Sequence, residues 1–381
     1  MILARHRENK LLMKRIPLLL PVMILLLTAV SRCKKQESSV TGPVLQDSAA
    51  IKDSVIVQNL SFPWEILWGP DGYIWMTERG GKISRVNPAT GAVSLLHTLT
   101  EVVANNEGGL LGMVLHPDFA TSPYVYVAYN YNGGTYKEKV VRFTYTGSAL
   151  TNPVTIIDNI SASSIHNGCR LVITGNKLFI STGDASNTSL PQNTAMLNGK
   201  ILRLNLDGTI PADNPVPGNP YWTFGHRNPQ GLVFANGILY SSEHGPSTDD
   251  EVNIIEKGRN YGWPDVAGYC DGTSEQPFCL ANSVKEPIRT WTPTTAPGGL
   301  DYYNAALIPQ WKNSLLLVAL KDARLYQLKL NTAGTAVTAT NEFFVNKYGR
   351  MRDICISPEG KVYLCTSNGS NDKIIEIRKS Q

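Results

Sequence analysis

Short apolar or alternating runs, each bounded by Gly, Asn, Asp or Pro, recur along the chain beyond its N-terminal segment, and amphipathic helical spacing is scarce. That pattern predicts β-strands joined by tight turns. The clearest runs are Tyr73–Met76, Val125–Tyr131, Val140–Tyr145, Leu178–Ser181 and Lys200–Leu206, then Ile238–Ser241, Leu315–Leu320, Arg324–Leu330, Val362–Cys365 and Lys373–Ile377.

The runs repeat. Gly-Pro-Asp-Gly-Tyr-Ile-Trp-Met-Thr at 69–77 resembles Ser-Pro-Glu-Gly-Lys-Val-Tyr-Leu-Cys-Thr at 357–366, and 174–182 and 235–242 follow the same plan of turn, short apolar strand and small hydroxyl residue. Weaker copies begin near Val125 and Leu315. Strand starts at 73, 125, 178, 238, 315 and 362 are 47 to 77 residues apart. Periods of this size with several strands each predict an all-β, six-bladed β-propeller of four-stranded antiparallel blades around a central channel, covering 53–381. The strand-like Val55–Leu60 would complete the last blade and close the ring, leaving only short, protected sheet edges.

Composition is compatible: 381 residues, 42% apolar and 17% charged, fit a globular chain with ample core. The net charge of +4, spread along the sequence, lacks the concentrated basic face of a nucleic-acid binder. At the N-terminus Arg5, Arg7, Lys10, Lys14 and Arg15 precede an apolar run, Ile16 to Val30, too short for the ~20 residues of a spanning helix. Residues 1–33 therefore read as an export signal, with Met13 as an alternative start. Cys33 follows, so lipidation of that cysteine and ordinary cleavage nearby are both open, and Arg32 stands where a lipoprotein signal has a small residue. Residues 34–52 lack periodicity and read as a flexible tether. The expected location is outside the cytoplasm, periplasmic or anchored by lipid at Cys33.

Export permits disulfides. Cys270 and Cys279 bracket a loop rich in turn formers and are the first choice for a bridge. Cys355 and Cys365 flank the turn Pro358-Glu359-Gly360, as a cross-hairpin bridge or as two free thiols. Cys-x-x-Cys pairs and His-rich clusters that would indicate zinc are lacking.

Five loops carry candidate chemistry. His166, in Ser-Ile-His-Asn-Gly before the strand Arg170–Ile173, is placed to act as a general base, though such a histidine alone is often an ordinary surface residue. Phe-Gly-His-Arg-Asn-Pro-Gln-Gly at 224–231 projects Arg227 and Asn228, with a purely structural turn as the plainer reading of His226 and Asn228. Ser-Glu-His-Gly-Pro-Ser-Thr-Asp-Asp-Glu at 242–251 offers carbonyls at Gly245 and Pro246 and hard carboxylate ligands of the kind Ca²⁺ takes. Leu320-Lys321 ends a strand, and Arg350 and Arg352 alternate onto one face of an extended segment. Loops of one propeller face converge on the channel, so these cations suit a small polyanionic ligand.

At these residues the chain resembles the soluble pyrroloquinoline-quinone-dependent glucose and aldose sugar dehydrogenases, from about Leu60 to Ile377. The likeness is dense in Leu-Trp-Gly-Pro-Asp-Gly-Tyr-Ile-Trp-Met-Thr-Glu-Arg, Gly-Gly-Leu-Leu-Gly-Met-Val-Leu-His-Pro-Asp-Phe, Gly-His-Arg-Asn-Pro-Gln-Gly-Leu and Asn-Tyr-Gly-Trp-Pro-Asp-Val-Ala-Gly-Tyr. The resemblance implies a six-bladed propeller that oxidises aldoses at the anomeric carbon to lactones. His166 would take the proton and hydride would pass to pyrroloquinoline quinone. It implies that Arg227 lies beside the reacting carbonyl, and that Glu107, Asn228, Leu320, Lys321, Arg350 and Arg352 contact the cofactor. Gly245 and Pro246 would hold a catalytic Ca²⁺; Glu251, Tyr261, Ala267, Tyr269 and Asp271 would hold a structural one. The implied partners are an aldose and an external electron acceptor such as a cytochrome.

The chain departs from the glucose-oxidising members at Ile165, Glu107, His244 and Ser367 and in a shortened loop after Asp271, which favours a broad aldose enzyme. A non-catalytic propeller that binds a protein or glycan is the alternative. A Ca²⁺-dependent lactonase is disfavoured, because that class holds its metal through side chains.

Overall fold

The computed structural model describes residues 51–380; the export signal, Cys33 and the tether up to residue 50 lie outside them. The described residues begin with strand β1 (Ile51–Leu60), two residues before the expected start of the propeller. Twenty-three further strands follow in six antiparallel sheets.

The first sheet is Pro63–Trp68, Ile74–Glu78, Lys82–Val86 and Val93–Thr98 (β2–β5), and the second Leu110–Leu115, Tyr124–Asn132, Tyr136–Tyr145 and Leu150–Ser161 (β6–β9). Gly168–Thr174, Lys177–Thr182, Lys200–Asn205 and Tyr221–Phe224 (β10–β13) make the third. Pro229–Ala235, Ile238–Glu243, Asp250–Ile254 and Arg289–Trp291 (β14–β17) make the fourth. Pro297–Tyr303, Ser314–Ala319, Arg324–Leu330 and Val337–Phe343 (β18–β21) make the fifth. The sixth pairs Met351–Ile356, Val362–Thr366 and Asp372–Lys379 (β22–β24) with β1.

The six repeats seen in the sequence are the second strands of the six blades. These read most clearly because both faces are covered: β3 and β23 are buried throughout. Ring closure is as expected, with Ile51 opposite Lys379 and Leu60 opposite Asp372. The terminal strand joins the chain's two ends in one sheet and removes the edge that β24 would otherwise present.

Blades hold together by apolar layers between sheets. Trp75 of the first blade is fully buried, edge-on to Phe119 and Tyr145 of the second at ring distances of 5.6 and 4.9 Å. Truncating it to Ala would cost about 3–5 kcal/mol. Turn chemistry fixes the strand ends. Gly72 has φ +76° in the turn before β3, where Asp71 Oδ1 accepts from the Tyr73 N–H and from Trp75 Nε1.

The excursion between β16 and β17 carries the short helix α1 (Gln276–Asn282) and the Cys270–Cys279 disulfide, with Cα atoms 6.2 Å apart. Cys355 and Cys365 are free and buried. In the hairpin Cys355 faces Tyr363 and Cys365 faces Asp353, so the two thiols are diagonal neighbours, not opposite partners.

The first strands of successive blades touch one another all round the channel. Arg170 lies among these first strands, 3% exposed, with Nη1 2.6 Å from Glu65 Oε1 and 3.0 Å from Asp353 Oδ2. Its Nε donates to the Gln230 carbonyl at 2.9 Å. Burial pushes Glu65 well above the ordinary carboxyl range and raises Asp353, while the Arg170 guanidinium opposes both shifts.

Candidate active site

Antiparallel pairing sets the start of each first strand beside the end of the second. Gly168 pairs with Thr182, Pro229 with Glu243, Pro297 with Ala319 and Met351 with Thr366. Segments before first strands and after second strands therefore emerge on one face. Glu107, His166, Arg227, Asn228 and Arg350 belong to the former; Gly245, Pro246, Leu320 and Lys321 to the latter; Arg352 is the second residue of β22.

His166 has φ +60° and accepts the Ala185 N–H at its carbonyl. Gly183 makes this approach workable, since a Cβ there would lie 1.9 Å from the His166 oxygen. The imidazole Nδ1 is 2.8 Å from Asp184 Oδ1. Asp184, 1% exposed, also accepts Ser186 N–H at 2.7 Å and Trp263 Nε1 at 2.9 Å. Ser186 N–H and Trp263 Nε1–H both donate to this carboxyl, and facing an acceptor-only carboxylate His166 carries its proton on Nδ1 and leaves Nε2 as a bare base. Asp184 was not among the expected site residues. Glu107 Oε2 accepts the His166 backbone N–H at 3.2 Å, and so meets the base through the main chain and not its ring.

Glu107, which holds the His166 backbone, also lines a cavity of about 480 Å³; His166, Asp184, Arg227 and Asn228 are not part of that lining. Arg79, Arg350 and Arg352 line it with Glu107, Gln230, His244, Leu320 and Ser367, and Glu107 is the sole carboxylate. Arg352 donates to Gln230 Oε1 at 2.6 Å; burial lowers its pKa to about 10, which still leaves it charged at neutral pH. Its Nε, the Nε of Arg227 and the Nδ2 of the fully buried Asn228 lack hydrogen-bond partners. Buried donors without acceptors are costly, and an anionic ligand rich in oxygens would satisfy them. Arg350 is exposed at the rim. Lys321 is also exposed, with Nζ 2.8 Å from Thr294 Oγ1, and is not part of the lining.

Arg227 donates Nη1 to the His244 carbonyl at 3.3 Å, and its guanidinium lies 5.4 Å from the Trp263 ring. Its backbone N–H is held by Glu243 Oε1, whose other oxygen takes His226 Nδ1 at 2.9 Å. His226 is wholly buried and stacked on Tyr261, which makes it structural, the plainer reading of that loop. His244 donates Nε2–H to the Pro297 carbonyl at 2.8 Å; burial, helped by Arg352, lowers its pKa to about 3 and keeps it neutral.

Gly245, Pro246, Glu251, Tyr261 and Ala267 all border one small void of about 10 Å³, with Glu243 and Asp249. That is about the room of a single water or ion. Tyr269 and Asp271 do not border it, so the expected ligand sets are brought together only in part. Asp250 pins the turn, taking Gly245 N–H at 2.8 Å on one oxygen and Ala296 N–H at 2.7 Å on the other. Burial and the nearby Glu243 raise Glu251 to about 8. Among the described residues no group of three or more His, Cys, Asp or Glu side chains converges as a metal site. Carbonyls and one or two carboxylates are nevertheless hard oxygen donors, and two repelling carboxyls beside an ion-sized void fit a divalent cation such as Ca²⁺.

Residues 60–376 match the family model described as glucose/sorbosone dehydrogenase. The chain is 34% identical to quinoprotein glucose dehydrogenase B of Acinetobacter calcoaceticus, over 95% of this chain and 94% of that one. It is 31% identical to the aldose sugar dehydrogenase of Escherichia coli, over 85% and 92%. The PQQ-bound form of aldose sugar dehydrogenase from Streptomyces coelicolor superposes with a TM-score of 0.76 at 32% identity, covering 87% of this chain and 99% of that one.

Proposed function

The chain belongs to the glucose/sorbosone dehydrogenase family, and from that premise we propose that it oxidises aldoses at the anomeric carbon to lactones, with pyrroloquinoline quinone and Ca²⁺. It is an oxidoreductase of the quinoprotein sugar dehydrogenase class.

The observation that carries this reading is an imidazole oriented by a buried carboxylate, 2.8 Å away, and tied through Glu107 to a cavity lined by three arginines. His166 Nε2 takes the proton of the anomeric hydroxyl, and Asp184 offsets the positive charge the ring then bears. When bound, pyrroloquinoline quinone supplies the carbon that accepts hydride, and Ca²⁺ supplies the Lewis acid that polarises it. Arg350 and Arg352 would hold carboxylates of the cofactor, and Asn228 Nδ2 would donate to it. Leu320 gives the cavity an apolar wall, and Lys321 contributes long-range charge from the rim. Gly245 and Pro246 present carbonyls, with Glu251, Tyr261 and Ala267 around the same void, as the chain's Ca²⁺ donors. Tyr269 and Asp271 do not border that void. An external electron acceptor would take up the two electrons that the aldose gives up.

We also place the enzyme outside the cytoplasm, on the strength of the basic and apolar leader and the Cys270–Cys279 bridge.

The test is reconstitution. The protein from Lys34 onward is stripped with a chelator, given Ca²⁺ and pyrroloquinoline quinone, and assayed by dye reduction with a panel of aldoses. Activity that requires both additions is expected. No cofactor binding and no reduction with any aldose would leave the non-catalytic propeller as the reading.

A further inference from the structure

Asp184 is steered by a residue from another blade. Trp263 lies in the excursion between β16 and β17, whereas Asp184 follows β11 and His166 precedes β10. Trp263 Nε1 donates to Asp184 Oδ2 at 2.9 Å, while His166 Nδ1 and Ser186 N–H both use Oδ1, at 2.8 and 2.7 Å. With donors on Oδ1 alone, the carboxylate could turn about its Cβ–Cγ bond, a soft torsion. A donor on the second oxygen fixes its plane.

The indole is itself held on both sides of its backbone. The backbone N–H of Trp263 donates to the Gly225 carbonyl at 3.0 Å, and its backbone carbonyl accepts from Gln192 Nε2 at 2.8 Å. Gln192 and Asn260 exchange amide hydrogen bonds of 2.8 and 3.0 Å, which locks the strut to the third blade. The other face of the arrangement is the Arg227 guanidinium, 5.4 Å from the ring.

The geometry points to Trp263 as a positioning residue for the general base. Through Asp184 it fixes the plane and tautomer of His166, so that Nε2 is the nitrogen left bare. The inference rests on His166 being the base of the proposed reaction; its tautomer can be read without that reaction.

The experiment uses the reconstituted enzyme with Trp263→Phe, Asp184→Asn and the double variant. Trp263→Phe should lower kcat about tenfold to a hundredfold, the scale for a misplaced catalytic group. KM for the aldose and the affinity for pyrroloquinoline quinone, titrated by fluorescence, should stay within about threefold. In the Asp184→Asn background the same change should cost nothing further, since Trp263 acts through that carboxylate. An unchanged kcat, an equal loss in both backgrounds, or a parallel loss of cofactor affinity overturns the proposal.

If Phe destabilises the excursion, benzothienylalanine at 263 keeps the ring shape and removes only the donor. Nitrogen-15 NMR of histidine then reads the tautomer directly. The wild type should show His166 as Nδ1–H, and the donor-free variant should show mixed tautomers. Identical spectra would overturn the inference even if the wild type oxidised no aldose; absence of aldose oxidation with the expected spectral change would sink only the functional reading.

Discussion

Arg352 Nη1 donates to Gln230 Oε1 at 2.6 Å, and the backbone carbonyl of that same Gln230 accepts from Arg170 Nε at 2.9 Å. One glutamine thus separates two buried guanidiniums, one lining the large cavity and the other paired with carboxylates of the first and sixth blades. Arg170 has Glu65 and Asp353 as counter-ions, whereas Arg352 pairs with an amide alone and its pKa falls to about 10. Arg352 is the cation with charge to spare.

Replacing Arg352 with Met keeps length and removes that charge. Affinity for pyrroloquinoline quinone should fall roughly tenfold to a hundredfold, the equivalent of one charge-assisted hydrogen bond of ~1.5–3 kcal/mol. Stability should hold or rise, because a desolvated and unpaired cation is removed. Lys321→Ala should cost less, since Lys321 is exposed and outside the cavity lining. Fluorescence titration of the apoprotein ranks the two, and an Arg352→Met protein that binds as tightly as wild type would remove it from the cofactor site.

His166→Ala should cut turnover by ~10² or more while cofactor affinity stays near wild type, because the base touches the sugar proton and not the cofactor's carboxylates. Stopped-flow dye reduction and the same titration separate the effects. Wild-type turnover in the variant would dismiss His166 as the base.

The propeller was legible because second strands are buried on both faces and preceded by turn residues, so the repeat survives in sequence. The disulfide was legible from local turn chemistry. His166, Arg350 and Arg352 could be singled out because each stands in a short loop or strand end with a recognisable setting. Asp184 could not: Gly-Asp-Ala-Ser reads as an ordinary turn. Its partners lie 18 residues upstream and 79 residues downstream, and only the fold unites them. Arg170 was likewise hidden inside a strand, since its counter-ions Glu65 and Asp353 come from the first and sixth blades. Tyr269 and Asp271 show the converse: a motif placed them in a ligand set, but they lie away from the void that the other members share.

Glu138 sets a pH dependence of stability remote from the chemistry. It is 1% exposed on β8, its Oε1 has no partner, and burial raises it to about 8, with a hydrogen bond to Cys169 opposing the rise. The folded state therefore holds a proton that the unfolded chain releases near 4.5, the ordinary glutamate value. Between those two values the native state binds more protons, so its stability falls as pH rises, and the fall levels off above about 8. Glu138→Gln mimics the protonated form and should flatten this part of the Tm profile from pH 5 to 9. A profile as steep as wild type would assign the dependence to other groups.

Glu251 and Glu243 face a void of ion size from adjacent strands, paired across the sheet in register. Burial and mutual repulsion push Glu251 to about 8, a cost that a divalent cation between the carboxyls would offset. Ca²⁺ at a hundredfold excess over its dissociation constant should add ~2.7 kcal/mol by linkage. For a fold of this size that corresponds to a Tm rise of roughly 3–5 °C. Mg²⁺ should give less, because an irregular set of carbonyls and carboxylates suits the larger, less exacting ion. Glu251→Gln should remove the repulsion, raise the metal-free Tm, and lose most of the Ca²⁺ response. Differential scanning calorimetry of the chelated apoprotein, with each metal and without pyrroloquinoline quinone, checks all three. If Ca²⁺ leaves the wild-type Tm unchanged, or raises the Glu251→Gln protein equally, the void is not the ion site.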